Sequence, residues 1–235
     1  MTKEPHADEY KIDVLDHGYV RLADYMGGDL SIVRAARVSY DADWRAGESA
    51  KSDEHLIGYL MRNGHTSPFE AATLTFEVMA PIFVLRQWQR HRTQSYNEVS
   101  ARYTELPNVF YAPEITQVTR QSTDNKQGRT GNVLLNAAEL RDCIIAQNEM
   151  AFGLYHTLLA SGLSRELART VLPLGTYSRM FTTVNLHNLF RFLGLRTHEH
   201  AQYEIRVYAE AMVGLAAKVA PIATREWLKT LDVGE

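Results

Sequence analysis

The chain of 235 residues contains one cysteine, Cys143. A single cysteine cannot form a disulfide within the chain, and it excludes a zinc site built on several thiolates. Long hydrophobic runs are also missing, since no apolar stretch reaches the roughly 20 residues of a membrane-spanning helix. The net charge of −3 at pH 7 lacks the positive excess of a protein that coats nucleic acid. The start, MTKEPHADE, is too polar for a signal peptide, so we expect a protein of the reducing cytoplasm.

The composition is that of a globular protein, with 45% apolar and 23% charged residues. A chain of this length can bury roughly 70% of its surface, which is enough for a sizeable core. Strand-like and helix-like segments follow one another without a regular strand–helix–strand order, and this favours an α+β fold. We find no internal repeat and no long linker. We therefore expect a single domain over residues 1–235, with a loose polar tail over residues 1–10.

Local patterns predict the individual elements. Residues 12–22 alternate around Gly18 and predict a hairpin, and residues 73–78 and 177–184 predict further strands. Ser67, Pro68 and Glu70 form the pattern of a capping box at a helix start. The polar residues 112–133 predict a long loop. Helices are predicted at 29–38, 53–61, 82–92, 134–159, 164–172, 185–195, 200–219 and 222–230.

Cationic and hydrogen-bonding side chains are concentrated in one segment, residues 87–103. The helix before it should end near Thr93, because the serines and the asparagine that follow favour turns. Successive backbone N–H groups in such a turn can bind an anion, and Arg102 can add a fork for a phosphate. Amide side chains suit the keto and imide edge of a pyrimidine. Spacing alone leaves equally open a solvated basic helix end that is ion-paired to Glu98 and Glu105.

This segment resembles, position by position, the R-H-R-x-x-S-x-N-x-x-S-x-R signature of the flavin-dependent thymidylate synthases, here from Arg90 to Arg102. Residues 65–70, HTSPFE, are similar to a second family motif, in which His65 lies near the flavin. The family usually has a second histidine where this chain has Ala71, so we assign that position no role. The resemblance extends from residue 33 to residue 205.

The resemblance implies an α+β domain with a central, mostly antiparallel sheet flanked by helices. It implies the methylation of dUMP to dTMP, with methylenetetrahydrofolate as carbon donor and an FAD that is reduced by NADPH. It also implies a homotetramer whose active sites are shared between subunits, with no nucleic-acid or membrane partner and no metal.

The resemblance also assigns roles to residues. Arg196 is the catalytic group, at the N3/O2 edge of the uracil, and Ser100 is expected to bind the nucleotide rather than attack it. The residues implied for dUMP are Gln87, Trp88, Gln89, Arg90, Glu98, Val99, Ser100, Ala101, Arg102, Arg169 and Arg196. The residues implied for FAD are Ser67, Arg90, His91, Arg92, Glu98, Asn185, Leu186, His187 and Arg191.

Two other kinds of function stay open from the residues alone. A module for RNA or single-stranded nucleic acid would set arginines on phosphates and stack bases on Trp88, Tyr96 and Tyr103. A metal-dependent nucleotide hydrolase would use histidines, but carboxylates at ligand spacing are missing near them. His198 and His200 would point to different faces of a helix, which disfavours a metal site. Cys143 is predicted to be a packing residue of an amphipathic helix.

Overall fold

A computed structural model describes residues 10–231 of the chain. The tail predicted over residues 1–10 therefore lies outside the described residues, with the exception of Tyr10. The Tyr10 carbonyl accepts a hydrogen bond from Leu22 N at 2.9 Å, and its ring packs against the core. Tyr10 thus belongs to the fold and not to the predicted tail.

A five-stranded antiparallel sheet forms the centre of the protein, with strands in the order β1-β2-β3-β7-β4. The hairpin β1–β2 confirms the prediction for residues 12–22, and β3 and β7 pair over nine residues, from Thr73↔Asn185 to Pro81↔Tyr177. A separate two-stranded sheet joins β5 and β6. The strands are β1 Lys11–Val14, β2 Gly18–Met26, β3 Thr73–Pro81, β4 Ser95–Glu98, β5 Thr119–Gln121, β6 Arg129–Val133 and β7 Tyr177–Asn185.

Eight α-helices are found among the described residues, and they flank the sheet as the α+β prediction requires. Short 3₁₀ helices lie at Val38–Tyr40, Asp43–Arg45, Ser67–Ala71, Ile115–Gln117 and Arg169–Val171. The α-helices are α1 Asp29–Arg37, α2 Ala50–Arg62, α3 Ile82–Trp88, α4 Ala137–Ala160, α5 Arg165–Ala168, α6 Leu186–Arg196, α7 Tyr203–Val219 and α8 Pro221–Leu231. Within residues 10–231, no helix is both long and apolar enough to cross a membrane.

The main core lies between the sheet and the helices α1, α2, α6, α7 and α8. Strand β3 alternates, with Leu74, Phe76 and Val78 fully buried on one face, because successive side chains of a strand point to opposite sides. A smaller cluster of buried residues is formed by Phe152 and Tyr155 of α4 and Ala168 of α5. The larger core fixes β7 and α6, which carry Asn185, Leu186, His187, Arg191 and Arg196 of the candidate site.

The predicted capping box is wrong. Residues Ser67–Ala71 form a 3₁₀ helix that begins after Thr66, and no side chain caps its first turn. Pro68 and Phe69 are buried, whereas Ser67 is exposed. The tight turn is set by this burial and by strand β3, which starts at Thr73.

The helix predicted to run to residue 92 ends at Trp88, and part of the predicted turn is strand β4. Pairing with β7 overrides the turn preference of its serine and asparagine, with Ser95 opposite Thr183 and Glu98 opposite Met180. Arg90 therefore lies beyond the helix and does not share a helical face with Arg86.

Four further predictions need correction. Residues 112–133 are not a loop without structure, because they contain a 3₁₀ helix and the β5–β6 hairpin. Cys143 is exposed on α4 and is not a packing residue of the core. Helices α4 and α7 each begin three residues later than predicted, at Ala137 and Tyr203.

Candidate active site

The turn after α3 is held from beneath by Tyr96 of β4. The Tyr96 hydroxyl donates to the carbonyl oxygens of His91, at 2.6 Å, and of Trp88, at 3.1 Å. Burial raises the pKa of Tyr96 to about 12, so the hydroxyl keeps its proton and remains a donor. This anchoring fixes the backbone from which Arg90 and Arg92 project.

Trp88 lies beneath the same turn, in the core. Its ring is fully buried and stacks on Phe192 with 4.8 Å between centroids, while its indole N–H donates to Gln94 at 3.2 Å. The ring is therefore unavailable for stacking on a base, contrary to the nucleic-acid hypothesis. Ala101 and Leu186 are also buried, so these three residues have only main-chain atoms to offer a ligand.

Arg196, the last residue of α6, reaches the turn. Its Nε donates to His91 Nε2 at 2.9 Å, and its Nη2 donates to the Gln87 carbonyl at 3.4 Å. Burial, and then the positive charge of Arg196, lower the pKa of His91 to about 4. His91 is therefore neutral near pH 7, so that Nε2 can accept. The structure thus brings together three of the predicted site residues from distant parts of the sequence.

Arg90 and Arg92 are exposed, and no described carboxylate forms an ion pair with either guanidinium. Two unpaired cations beside the half-buried Arg196 favour an anionic ligand. Gln89 donates to Glu98 at 3.2 Å, so these two side chains border the same turn. The predicted ion pair of a basic helix end with Glu98 is not formed.

Glu166, in the first turn of α5, contacts both Arg102 and Arg169. Arg102 forms an ion pair with Glu166 at 3.8 Å, and Arg169 Nε donates to the Glu166 carbonyl at 3.3 Å. Ser100 Oγ accepts from Arg102 N at 3.3 Å, which holds the loop between β4 and this contact. Exposed ion pairs stabilise a protein by about 0–1 kcal/mol. A phosphate can therefore replace Glu166 as the partner of Arg102.

Some of the residues implied for the flavin gather toward the start of α6, away from Arg196. His65, His187 and Arg191 line a cleft of about 260 Å³, and its apolar wall includes Phe190 and Trp227, whose rings stack at 5.0 Å. His187 and Arg191 lie one helical turn apart, so they share a face of α6. An aromatic wall with nearby cations fits a flat ring that carries phosphates.

Asn185 is the N-cap of α6, which begins at Leu186. Its Oδ1 accepts from Asn188 N at 2.9 Å, which leaves its amide N–H groups for a ligand. Arg196 lies at the other end of α6, about 16 Å away at 1.5 Å per residue. Within one chain, the implied FAD residues thus fall into two groups that α6 connects. Asn185, His187 and Arg191 lie toward its start, and Arg90, His91, Arg92 and Glu98 lie in or beside the turn that Arg196 reaches.

Sequence reasoning gave no role to several residues that support these groups. Glu166 contacts both Arg102 and Arg169, and Gln94 links Trp88 to Thr182. Glu204, which is buried in the first turn of α7, contacts Gln202, and Gln202 contacts Gln87. The sequence signal was weak, because an acidic residue at a helix start usually interacts only with the helix dipole.

The two histidines weighed as a metal pair lie in a turn before α7, not on a helix. The ring centroids of His198 and His200 are 4.9 Å apart, so the two rings do not point to opposite faces of a helix as predicted. In the described part of the chain, no group of three or more His, Cys, Asp or Glu side chains is arranged to hold a metal ion.

The chain is similar to proteins of one family over most of its length. The family model described as "Thymidylate synthase complementing protein" matches residues 21–222. The flavin-dependent thymidylate synthase of Treponema pallidum (strain Nichols) is 50% identical over 216 residues, which cover 91% of this chain and 70% of that protein. The enzyme of the same name from Wolbachia pipientis wMel is 48% identical over 218 residues, or 92% of this chain and 75% of that protein.

Solved structures agree with these relatives. The UMP/dUMP methylase PolB from Streptomyces cacaoi, bound with 5-Br dUMP, has a TM-score of 0.83 and 39% sequence identity, over 93% of this chain and 97% of that one. The match of the family model to most of the chain, together with relatives that are about half identical, shows that the chain belongs to the flavin-dependent thymidylate synthase family.

Proposed function

We propose that this protein methylates dUMP to dTMP in the cytoplasm, with methylenetetrahydrofolate as carbon donor and an FAD that NADPH reduces. One observation carries the proposal: no carboxylate within residues 10–231 pairs with Arg90 or Arg92, and both lie in the turn where Arg196 meets a neutral His91. That turn offers cations for phosphates and directed donors for a heterocycle. A relative of 39% identity is a methylase whose structure contains 5-Br dUMP.

The uracil ring must become nucleophilic at C5 before it can accept a carbon. One route adds an enzyme thiolate to the ring, but Cys143 lies exposed on α4 and lines a surface with Leu140 and Ile144. The other route stabilises negative charge on the ring with preorganised donors, each of which can contribute on the order of 3 kcal/mol. We assign this role to Arg196, whose guanidinium is half-buried and directed by His91 and the Gln87 carbonyl.

The residues present fit a flavin. His65, His187 and Arg191, with Ser67 and Asn185 nearby, would hold it beside the aromatic wall of the cleft. When bound, FAD supplies the redox chemistry of the reaction. The cleft of about 260 Å³ lies below the usual range of ligand sites, which is roughly 300–1,000 Å³.

We therefore propose that other subunits complete the site, in a homotetramer of single-domain chains. Helix α4 supports an interface, because Ile144, Met150 and Leu154 are 40%, 63% and 48% exposed. Exposed apolar side chains on one long helix are typical of a surface that another protein covers.

A second candidate substrate is UMP. PolB is named a UMP/dUMP methylase. One PolB structure is bound with 5-Br UMP, and it matches this chain with a TM-score of 0.82. UMP differs from dUMP by a single 2′-hydroxyl. The relatives that are about 50% identical are named thymidylate synthases, which favours dUMP.

The test is a visible absorption spectrum of the purified protein, repeated anaerobically with NADPH in the presence of dUMP, of UMP or of neither. We expect a flavin spectrum that NADPH bleaches, and faster bleaching with dUMP. Added methylenetetrahydrofolate should then yield dTMP. A colourless protein that takes up no FAD would overturn the proposal, and product from UMP alone would establish the second candidate.

Replacement of Arg102 should separate the two ligands. We expect Arg102→Ala to weaken dUMP binding by roughly 10- to 100-fold, since a hydrogen bond to a charged group contributes about 1.5–3 kcal/mol. FAD binding should change by less than about 2-fold, because only the nucleotide phosphate faces this arginine. Calorimetric titration with each ligand measures both effects.

Arg165→Ala is the matched control, because Arg165 is also exposed and also pairs with a surface carboxylate, Glu105 at 3.7 Å. It should leave both affinities unchanged. Equal losses of dUMP and FAD affinity in Arg102→Ala would remove the phosphate role of Arg102.

A further inference from the structure

A buried carboxylate lies behind the candidate nucleotide site. Glu204 is 2% exposed, and its Oε1 accepts from the Tyr111 hydroxyl and from Arg129 Nη2, each at 3.0 Å. Burial, and then the charge of Glu204, raise the pKa of Tyr111, which keeps that hydroxyl protonated as a donor. The remaining oxygen, Oε2, accepts from Gln202 Nε2 at 2.8 Å.

The chain of contacts continues into the site. Because a carboxylate can only accept, Gln202 must turn its NH₂ group toward Glu204. The Gln202 carbonyl oxygen then faces the other way, and it accepts from Gln87 Nε2. Because Gln87 uses its NH₂ group for this bond, its side-chain oxygen Oε1 is the amide atom left to accept a hydrogen bond. No described group donates to Gln87 Oε1.

We infer that Glu204 is a positioning residue that sets the amide polarity of Gln87 through Gln202, so that Gln87 accepts a hydrogen bond from the nucleotide. This inference rests on the proposed function, in which Gln87 contacts dUMP. It assigns a role to a buried carboxylate that makes no contact with the substrate.

The chemistry of dUMP narrows what Gln87 can recognise. The nucleotide carries many acceptors but only two donors, the ring N3–H and the sugar 3′-hydroxyl. A fixed acceptor in the protein selects a ligand that places one of these donors there. A ligand without that donor leaves Gln87 Oε1 unpaired, which weakens binding.

A purely structural role for Glu204 is the competing explanation. The ion pair with Arg129 joins strand β6 to helix α7, and its loss could simply loosen the hairpin. Loosening would weaken the binding of every nucleotide by the same factor. A reversal of the Gln87 amide, in contrast, changes the ratio of the affinities for two ligands that differ in a single hydrogen-bond donor.

Glu204→Gln tests the inference, because glutamine has nearly the same shape. In this variant the carbonyl should stay with Tyr111 and Arg129, and the new NH₂ group should face Gln202. Gln202 and Gln87 would then both turn over, so that Gln87 presents a donor. Calorimetric titration of the FAD-loaded enzyme would use dUMP, its N3-methyl derivative and 2′,3′-dideoxyuridine monophosphate.

We expect the unaltered protein to prefer dUMP by about 10-fold over the analogue that lacks the recognised donor. In Glu204→Gln, dUMP affinity should fall by about 10-fold and that preference should disappear. The analogue concerned identifies the donor as N3–H or 3′-OH. A steric penalty of the N3-methyl group would persist in the variant and so is distinguishable.

Two further variants complete the experiment. Glu210→Gln removes an exposed carboxylate of the same helix, which pairs with Arg206 at 3.6 Å, and it should change neither affinity nor preference. If Glu204→Gln fails to fold or to bind FAD, Gln202→Met is the alternative, because Gln202 is exposed. It interrupts the hydrogen bonds from Glu204 to Gln87 and should abolish the preference for dUMP over the analogue. Unchanged preferences in these variants would overturn the inference alone. Failure of the unaltered protein to bind dUMP would overturn the proposed function, and the inference with it.

Discussion

Arg196→Ala is expected to lower kcat by at least about 100-fold while the protein still binds FAD. The loss of one preorganised donor at a developing negative charge typically reduces the rate by roughly 10²–10³-fold. Among the described residues, only Arg196 has a guanidinium that donates hydrogen bonds to both His91 Nε2 and the Gln87 main-chain carbonyl. These two bonds hold it at the turn. Release of the C5 proton of dUMP and formation of dTMP measure turnover, and the visible spectrum measures bound flavin.

The variant should fold, because Arg196 is the last residue of α6 and no carboxylate in the described part of the chain forms an ion pair with it. Arg196→Lys is the informative control: it keeps the charge but loses the planar fork, so an intermediate rate is expected. Removal of the guanidinium should also let the pKa of His91 rise from about 4, since Arg196 contributes to its lowering. Full activity of Arg196→Ala would refute the catalytic role.

Trp88→Ala is expected to reduce the free energy of unfolding by about 3–5 kcal/mol, the usual range for a buried aromatic residue replaced by alanine. Trp88 is fully buried, stacks on Phe192 and meets Tyr208 edge-on at 6.2 Å. The substitution would leave a cavity between α3 and α7, and would leave Gln94 without one of its donors. Urea denaturation of the FAD-free protein measures the effect.

Trp44→Ala provides the matched control, because Trp44 is 70% exposed and should change stability by less than about 0.5 kcal/mol. A Trp88→Ala protein of unaltered stability that had lost dUMP binding would show that the indole itself contacts the ligand. The expected result is the reverse, with nucleotide affinity lost only in proportion to the unfolded fraction.

The sequence predicts best those elements in which one face is buried, because their apolar residues then recur at a regular spacing. Strand β3 shows the period of two, and Gly18 lies in the middle of the alternating residues 12–22, so both were identified. The β5–β6 hairpin carries no such pattern. Its turn depends on side-chain contacts, among them Gln121 Nε2 to the Gly128 carbonyl at 2.7 Å. Polar residues that bond to a turn look the same in sequence as those of a loop.

The site was predicted as a set of positions, because a motif does not say which way each side chain points. Arg90 and Arg92 lie exposed in the turn, but the neighbouring Trp88 points into the core. Glu166 and Glu204 were missed, because Arg102, the ion-pair partner of Glu166, and Tyr111 and Arg129, which donate to Glu204, lie far away in the sequence. Directions and distant partners come from packing, which a single sequence does not display.

The ion pair between Arg102 and Glu166 means that the protein carries an internal competitor for its own substrate. If the proposed function holds, Arg102 must break its ion pair with the Glu166 carboxylate when it binds the nucleotide phosphate, so one anion is exchanged for another. Added salt weakens both the pair that is broken and the pair that is formed, so the two effects oppose each other. The affinity for dUMP at this arginine should therefore stay nearly constant over a range of ionic strength in which simple phosphate binding weakens steadily.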